Sequence, residues 1–210
     1  MPKKDYLIID IETYADLDKV DMLPEPSISK VLKDEAKIAI AKEEARQAQI
    51  EKMALSPYEG RIACIGYCQD GISQVDVSDE KDMLRIFFER ISDKHLITFN
   101  GISFDIPFIY KRAMLLGVKP SVPFSFLTKK YDNPFHYDLM MLECNQNKQE
   151  AKSLDYLARL ALGESKVEFN FREIPELLKT EKGKEKLKEY CSKDVELTYK
   201  LFKLFEGVII

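Results

Sequence analysis

No apolar run in the 210-residue sequence approaches the roughly 18 residues of a membrane span. The first such run begins at Tyr6 and meets Asp10 after four residues, far short of a secretory signal. Both observations set the expectation of a cytoplasmic protein without a membrane partner. Basic charge is not in excess either: the formal net charge is −4, which does not mark a nucleic-acid binder by composition. Acids that hold cations lower this balance, so it excludes little. Lysine does gather at Lys129-Lys130 and between Lys179 and Lys193, read either as solvated faces or as contacts to a nucleic-acid backbone. The four cysteines form no framework. Cys64 and Cys68 share parity on one strand, which cannot fold back to build a zinc site, so they read as buried apolar residues. Cys191 reads as core on the last helix, and Cys144 has no local pattern. No internal repeat is present, and the length suits a single domain over 1–210.

The apolar run over 6–11 predicts a strand buried on both faces. After Pro24 and Pro26, residues from about Ser29 to Met53 are rich in Ala, Lys, Glu, Ile and Gln and contain neither Gly nor Pro. This predicts a long helix within an insertion at about 27–55. Its apolar positions form no broad stripe, so it is expected to contact substrate, a protein partner or a second copy more than the core. Strands over about 61–68 and 72–77 flank Asp70-Gly71, a hairpin signal. Helices are expected over 79–92 and 103–116, the latter stopped by Gly117, with a strand over 95–99 between them. A fifth strand is expected over His136–Met140, then a helix from the Ser153 cap to Gly163 and a final helix over 182–206. Strands alternating with helices imply an α/β three-layer fold around a five-stranded mixed sheet.

Four acids carry the chemistry. Asp10 and Glu12 are two apart on a strand and share a face, where like charges repel unless a cation or water intervenes. Asp105 follows an apolar run and precedes Pro107, a position that serves a helix cap as well as a metal site. Asn100 and Gly101 read first as a turn. Tyr190 and Asp194 stand at i and i+4 on the last helix, beside an apolar stripe of Leu187, Cys191, Val195 and Phe202. Carboxylates of this kind are hard oxygen ligands for Mg²⁺ or Mn²⁺, and two such ions can drive phosphodiester cleavage.

The three motifs Asp10-x-Glu12, Asn100-x(3)-Phe104-Asp105 and Tyr190-x(3)-Asp194 together resemble the DEDD exonucleases, whose fold is ribonuclease H-like. Tyr190 matches their tyrosine subclass, DEDDy. The run Asn100-Gly101-Ile102-Ser103-Phe104-Asp105-Ile106-Pro107 is especially similar to the proofreading exonuclease of family B DNA polymerases. The resemblance covers nearly the whole chain; the insertion is longer than the family pattern. It implies that Asp10, Glu12 and Asp194 bind one metal ion directly, that Asp10 reaches a second, and that Asp105 acts partly through water. Tyr190, protonated near neutral pH, is implied to orient the attacking water. The backbone at Glu12-Thr13, together with Asn100 and Phe104, is implied to border the terminal nucleotide, Phe104 serving equally well as core. The expected activity is a two-metal 3′–5′ exonuclease on single-stranded DNA ends. An RNA exonuclease and a catalytically silent nucleic-acid-binding subunit are the alternatives. Asp138 and His136 are expected to be structural.

Overall fold

A computed structural model describes residues 5–29, 31, 33–131 and 133–208. Strand β1 (Tyr6–Ala15) lies at the centre, and its alternation sets the layers. Leu7, Ile9 and Ile11 join a core cluster with Leu84 and Phe87 of α2 (Glu80–Arg90) and Ile106 and Ile109 of α3 (Asp105–Leu116). Ile8, on the opposite face, packs with Val195 and Leu201 of α8 (Glu181–Phe205) and with Leu157 of α6 (Leu154–Leu162). Side chains two apart on a strand face the same way, so Asp10 and Glu12 share the α8 side with Ile8.

Four strands complete the sheet: β2 (Gly60–Gln69), β3 (Ile72–Asp76), β4 (His95–Thr98) and β5 (His136–Asp138), in the order β3-β2-β1-β4-β5. β2 runs antiparallel to β1 and β3, whereas β1, β4 and β5 are parallel. The five-stranded mixed sheet flanked by helices is therefore present as expected. Asp70 and Gly71 both have positive φ, +50° and +83°, the conformation that a two-residue hairpin turn requires. Ser153 caps α6 by accepting from Tyr156 N–H at 3.1 Å, and Gly163 ends it with φ +69°. No helix of the described residues is long and apolar enough to cross a membrane.

Three boundaries differ from the sequence expectation. β1 continues beyond Ile11 to Ala15, because β2 is equally long and pairs with it as far as Ala15↔Gly60. β5 stops at Asp138, whose carboxylate accepts from Met141 N–H at 3.3 Å and starts the short helix α5 (Leu139–Glu143), so Met140 is helical. The insertion helix α1 (Glu35–Met53) begins later than Ser29, where Asp34 accepts from Ala36 and Lys37 N–H. Residues 30 and 32 of the expected helix lie outside the described residues. At 19 residues α1 spans roughly 28 Å, and Met53 is its buried residue. A short 3-10 turn over Leu17–Met22 precedes it. The Pro- and Phe-rich segment holds one helical turn, α4 (Phe124–Leu127), and α7 (Ile174–Leu177) precedes α8.

The β1–β2 ladder shifts register between Glu12 and Thr13, which leaves Ala63 as an extra residue on β2. Glu80 accepts the Ile62 N–H at 2.9 Å beside this bulge. Arg112 grips Glu80 through two bonds of 2.8 and 2.7 Å, and its third arm reaches the Pro57 carbonyl at 3.1 Å. A paired acid thus satisfies the backbone next to the acidic strand.

Helix α8 sits close on the sheet at Gly66, the residue paired with Asp10. A methyl group there would lie 2.6 Å from Cys191 Sγ and 3.0 Å from Val195 Cγ1. Gly66→Ala is therefore expected to push α8 outward and to destabilise the fold by about 1–3 kcal/mol. Urea unfolding checks this; an unchanged midpoint would show that the helix accommodates the methyl without cost.

Candidate active site

The sheet brings the acids together where β1 outruns β4. Pairing of the two strands ends at Ile8↔Ile97, so beyond it the β1 backbone faces no strand on that side. Asp105, in the first turn of α3, fills this edge: its Oδ1 accepts the Ile11 N–H at 3.1 Å. Its carboxylate therefore reaches back to β1 beside Asp10 rather than capping the following turn. Asp194 comes from α8, which approaches the sheet closely at Gly66, and its charge acts on Asp10. Asp10 is half-buried, whereas Glu12, Asp105 and Asp194 are only 7%, 3% and 1% exposed. Asp10 and Glu12 thus stand in mid-strand within a largely buried cluster.

Burial and mutual repulsion both oppose ionisation. The Asp10 carboxyl is held well above the usual range, first by burial and then by Asp105 and Asp194. Glu12 is raised by burial and by Asp10. Asp105 is pushed up to about 7, mainly by burial. Asp194 is raised by burial in spite of Lys166. The Lys166 ammonium lies 2.5 Å from Asp194 Oδ2 and 5.6 Å above the Tyr190 ring. Burial alone would lower its pKa, but Asp194, Asp10 and Glu12 carry it upward. One ammonium among four carboxyls leaves an acidic site.

Asp194 Oδ1 is buried and accepts no hydrogen bond among the described residues. An orphaned buried acceptor is uncommon in a folded protein and calls for a partner. Ligand oxygens of Asp10 and Glu12 lie within 4.8 Å of each other, and with those of Asp105 and Asp194 they are hard donors of the kind that Mg²⁺ or Mn²⁺ takes. Tyr190 is buried beside Asp194, with Phe169 stacked on its ring at 4.4 Å and Phe171 edge-on at 5.7 Å. Burial, then Asp194 and Glu12, raise the phenol further, so it remains protonated.

The loop leading to Asp105 is fixed from β5. Asp138 accepts the N–H groups of Asn100 at 2.8 Å and Ile102 at 3.0 Å. His136 Nδ1 donates to the Leu127 carbonyl at 2.6 Å, and its Nε2 accepts from Thr98 Oγ1 at 2.8 Å. Burial lowers the His136 pKa and keeps this neutral pairing. Thr98 Oγ1 in turn accepts the Gly101 N–H at 3.1 Å. Asp138 and His136 are structural, as expected.

The residues expected to border a nucleotide are placed unequally. Asn100 stands at the loop tip with φ +69°, near Lys148, whose Nζ meets Asn100 Oδ1 at 3.4 Å and Ser103 Oγ at 2.6 Å. Phe104 packs against the core and lies 5.7 Å from the Phe108 ring. The Thr13 side chain is committed elsewhere: its hydroxyl donates to the Ala54 carbonyl at 2.7 Å, tying the end of α1 to β1. Only its backbone is free for another contact. The lysines over 179–193 are largely spoken for by glutamates, in the pairs Lys179–Glu176, Lys184–Glu181, Lys186–Glu173, Lys188–Glu185 and Lys193–Glu164. This supports the solvated-face reading. Sequence reasoning missed Lys166 and Phe169. Both lie in an irregular segment with no periodicity, where Asp155 pins Lys166 through its N–H at 2.9 Å.

Residues 62–208 match a family described as a predicted 3′–5′ exonuclease related to the exonuclease domain of PolB. DNA polymerase 1 of Sulfurisphaera ohwakuensis is 37% identical over 134 residues, which cover 58% of this chain and 15% of that protein. DNA polymerase 1 of Saccharolobus solfataricus is 33% identical over 149 residues, covering 63% and 16%. The chain thus spans about a sixth of the length of these curated relatives. The solved family B DNA polymerase of Pyrobaculum calidifontis superposes on 97% of this chain and 25% of its own, with a TM-score of 0.62 and 16% identity, a likeness of fold. With its α/β sheet, its five strands and this match over most of its length, the chain belongs to the family of 3′–5′ exonucleases related to the exonuclease domain of family B DNA polymerases.

Proposed function

We propose that this chain removes nucleotides from the 3′ ends of single-stranded DNA by two-metal-ion hydrolysis, with Asp10, Glu12, Asp105 and Asp194 holding the ions. The observation that carries this reading is the convergence of three buried carboxyls and the half-buried Asp10, one oxygen of them orphaned, beside a buried tyrosine. Two Mg²⁺ or Mn²⁺ ions, when bound, lower the pKa of the attacking water and stabilise the leaving 3′ oxygen. Asp105 and Asp194 both act on the Asp10 charge, which supports Asp10 as the acid that would be shared by the two ions. Tyr190, as a neutral phenol, orients the water by hydrogen bonding and takes no proton. Lys166 offers a positive charge to a phosphate oxygen.

Access supports a single strand. The acids are buried, so the end must arrive unpaired and slender. A cavity of about 600 Å³ opens between Ile50 and Ala54 at the end of α1, Tyr14 just past Glu12, and Phe169 and Phe171 against Tyr190. Aromatic walls of this kind stack bases without reading them, at about 1–3 kcal/mol per base. None of the four acids lines this cavity, so it would hold bases beside the site, with the insertion helix as one wall. Its exposed, weakly apolar surface suits contact with substrate more than a core.

End-labelled oligonucleotides test this. With 5′-labelled single-stranded DNA and Mg²⁺ or Mn²⁺, products should shorten one nucleotide at a time, and EDTA should abolish them. Matched RNA should be cut more slowly. Asp10→Ala and Asp194→Ala should each lose about 10³-fold or more in rate while staying folded. Tyr190→Phe should lose less, since only water alignment goes. Replacing α1 by a Gly/Ser linker should keep cleavage but shorten the runs on long strands. Equal cleavage of a closed circular strand would contradict exonuclease action.

The carboxyl pKa values also predict a pH dependence. Asp105 sits near 7 in the folded chain against an ordinary 3.8, so between these values the folded state holds a proton that the unfolded chain has released. This contribution to stability is complete below the unfolded value and is lost as pH rises through the folded one. In EDTA, the thermal midpoint should fall from about pH 5 to about pH 8, and Mn²⁺ should restore it at the upper end. Asp105→Asn should flatten the slope; an equally steep slope in that variant would exclude Asp105 as its source.

A further inference from the structure

Cys191 brings a soft donor to the hard ones. Its thiol lies under α8 against Gly66, where the missing side chain lets it descend to the level of Asp10. One ligand atom each from Asp10, Glu12 and Cys191 lie within 4.8 Å of one another. Asp194, one helical turn further along α8, adds an oxygen that is buried and without a hydrogen-bond partner. Cys191 is fully buried and bonded in no disulfide. Its neighbour Cys64, opposite Glu12 on β2, shares a hydrogen bond with it.

We infer that Cys191 completes a mixed oxygen–sulfur site with Asp10 and Glu12 that binds a borderline divalent cation, zinc in particular, in competition with Mg²⁺ or Mn²⁺. Mg²⁺ takes oxygen ligands and has no use for a thiolate, whereas Zn²⁺, Co²⁺ and Cd²⁺ bind sulfur and carboxylate together. Ligand atoms around a tetrahedral ion of this kind stand roughly 3.3–3.8 Å apart, so the three groups need to close by about 1 Å. Binding forms a metal–sulfur bond and releases the thiol proton to solvent, so zinc affinity rises with pH. An ion held there takes the oxygens of Asp10 and Glu12 and stops cleavage. The inference rests on reading Asp10 and Glu12 as metal ligands.

The test is the absorption spectrum of the full chain with Co²⁺ added. The wild-type protein should show a sulfur-to-cobalt charge-transfer band in the near ultraviolet, displaced by stoichiometric Zn²⁺. Cys191→Ser and Cys191→Ala should both lose the band and at least tenfold in zinc affinity, with Mn²⁺ affinity unchanged. Cys64→Ser should keep the band. A band that survives in both Cys191 variants, or that vanishes in Cys64→Ser alone, would overturn the assignment. Cleavage with Mg²⁺ in the same wild-type preparation separates the two claims. Cleavage without a cobalt band removes the thiol from the site, whereas absence of both counts against the nuclease reading itself.

Discussion

The burial of Asp10, Glu12, Asp105 and Asp194 near one another is the constraint around which the molecule is organised. Burial raises the cost of each charge, and at Asp10 and Glu12 the neighbouring acids raise it again, while Lys166 lowers it. An apolar centre for this face of β1 would pack with less cost. The sheet nevertheless places two acids on one face of its central strand, and α3 and α8 deliver two more from either side. Lys166 offsets part of the charge, and a bound cation would offset the rest.

Holding such a cluster requires rigid surroundings, and the backbone supplies most of them. Asp105 is fixed by the Ile11 amide, a group free to bond only because β4 is shorter than β1. The loop before it is fixed by Asp138, and through Thr98 by a neutral His136. The depth of Asp194 is set by Gly66, and the bulge beside Glu12 by the Glu80–Arg112 pair. The carboxyls themselves make few hydrogen bonds, which leaves their oxygens available to ligands. Buried polar groups elsewhere in the chain, such as Asp138 and Arg112, are well satisfied.

Much of this was legible in the sequence, for identifiable reasons. Two-residue periodicity put Asp10 and Glu12 on one face, and four-residue spacing did the same for Tyr190 and Asp194. Asp70-Gly71, Ser153, Gly163 and Gly117 announced their turns, cap and stops because each answers a local backbone need. Effects that arise only from tertiary pairing were not legible. β1 runs on to Ala15 because of the length of β2, and Met140 turns helical because Asp138 caps the next turn. Lys166 reaches Asp194 from an irregular segment, where no period advertises it. Thr13 is drawn away from the cleft by Ala54, a contact made possible only by the path of the insertion. For Asp105 the sequence left a cap and a ligand both open, and the Ile11 bond shows where its carboxylate points.

The central claim is that these acids form a divalent metal centre, and anomalous diffraction tests it most directly. Crystals soaked in Mn²⁺ with a nucleoside 5′-monophosphate should show two anomalous peaks at the manganese edge, both within coordinating distance of Asp10 and one shared with Glu12 and Asp194. Peaks confined to the surface, with the four carboxyls bonded only to water and Lys166, would contradict it.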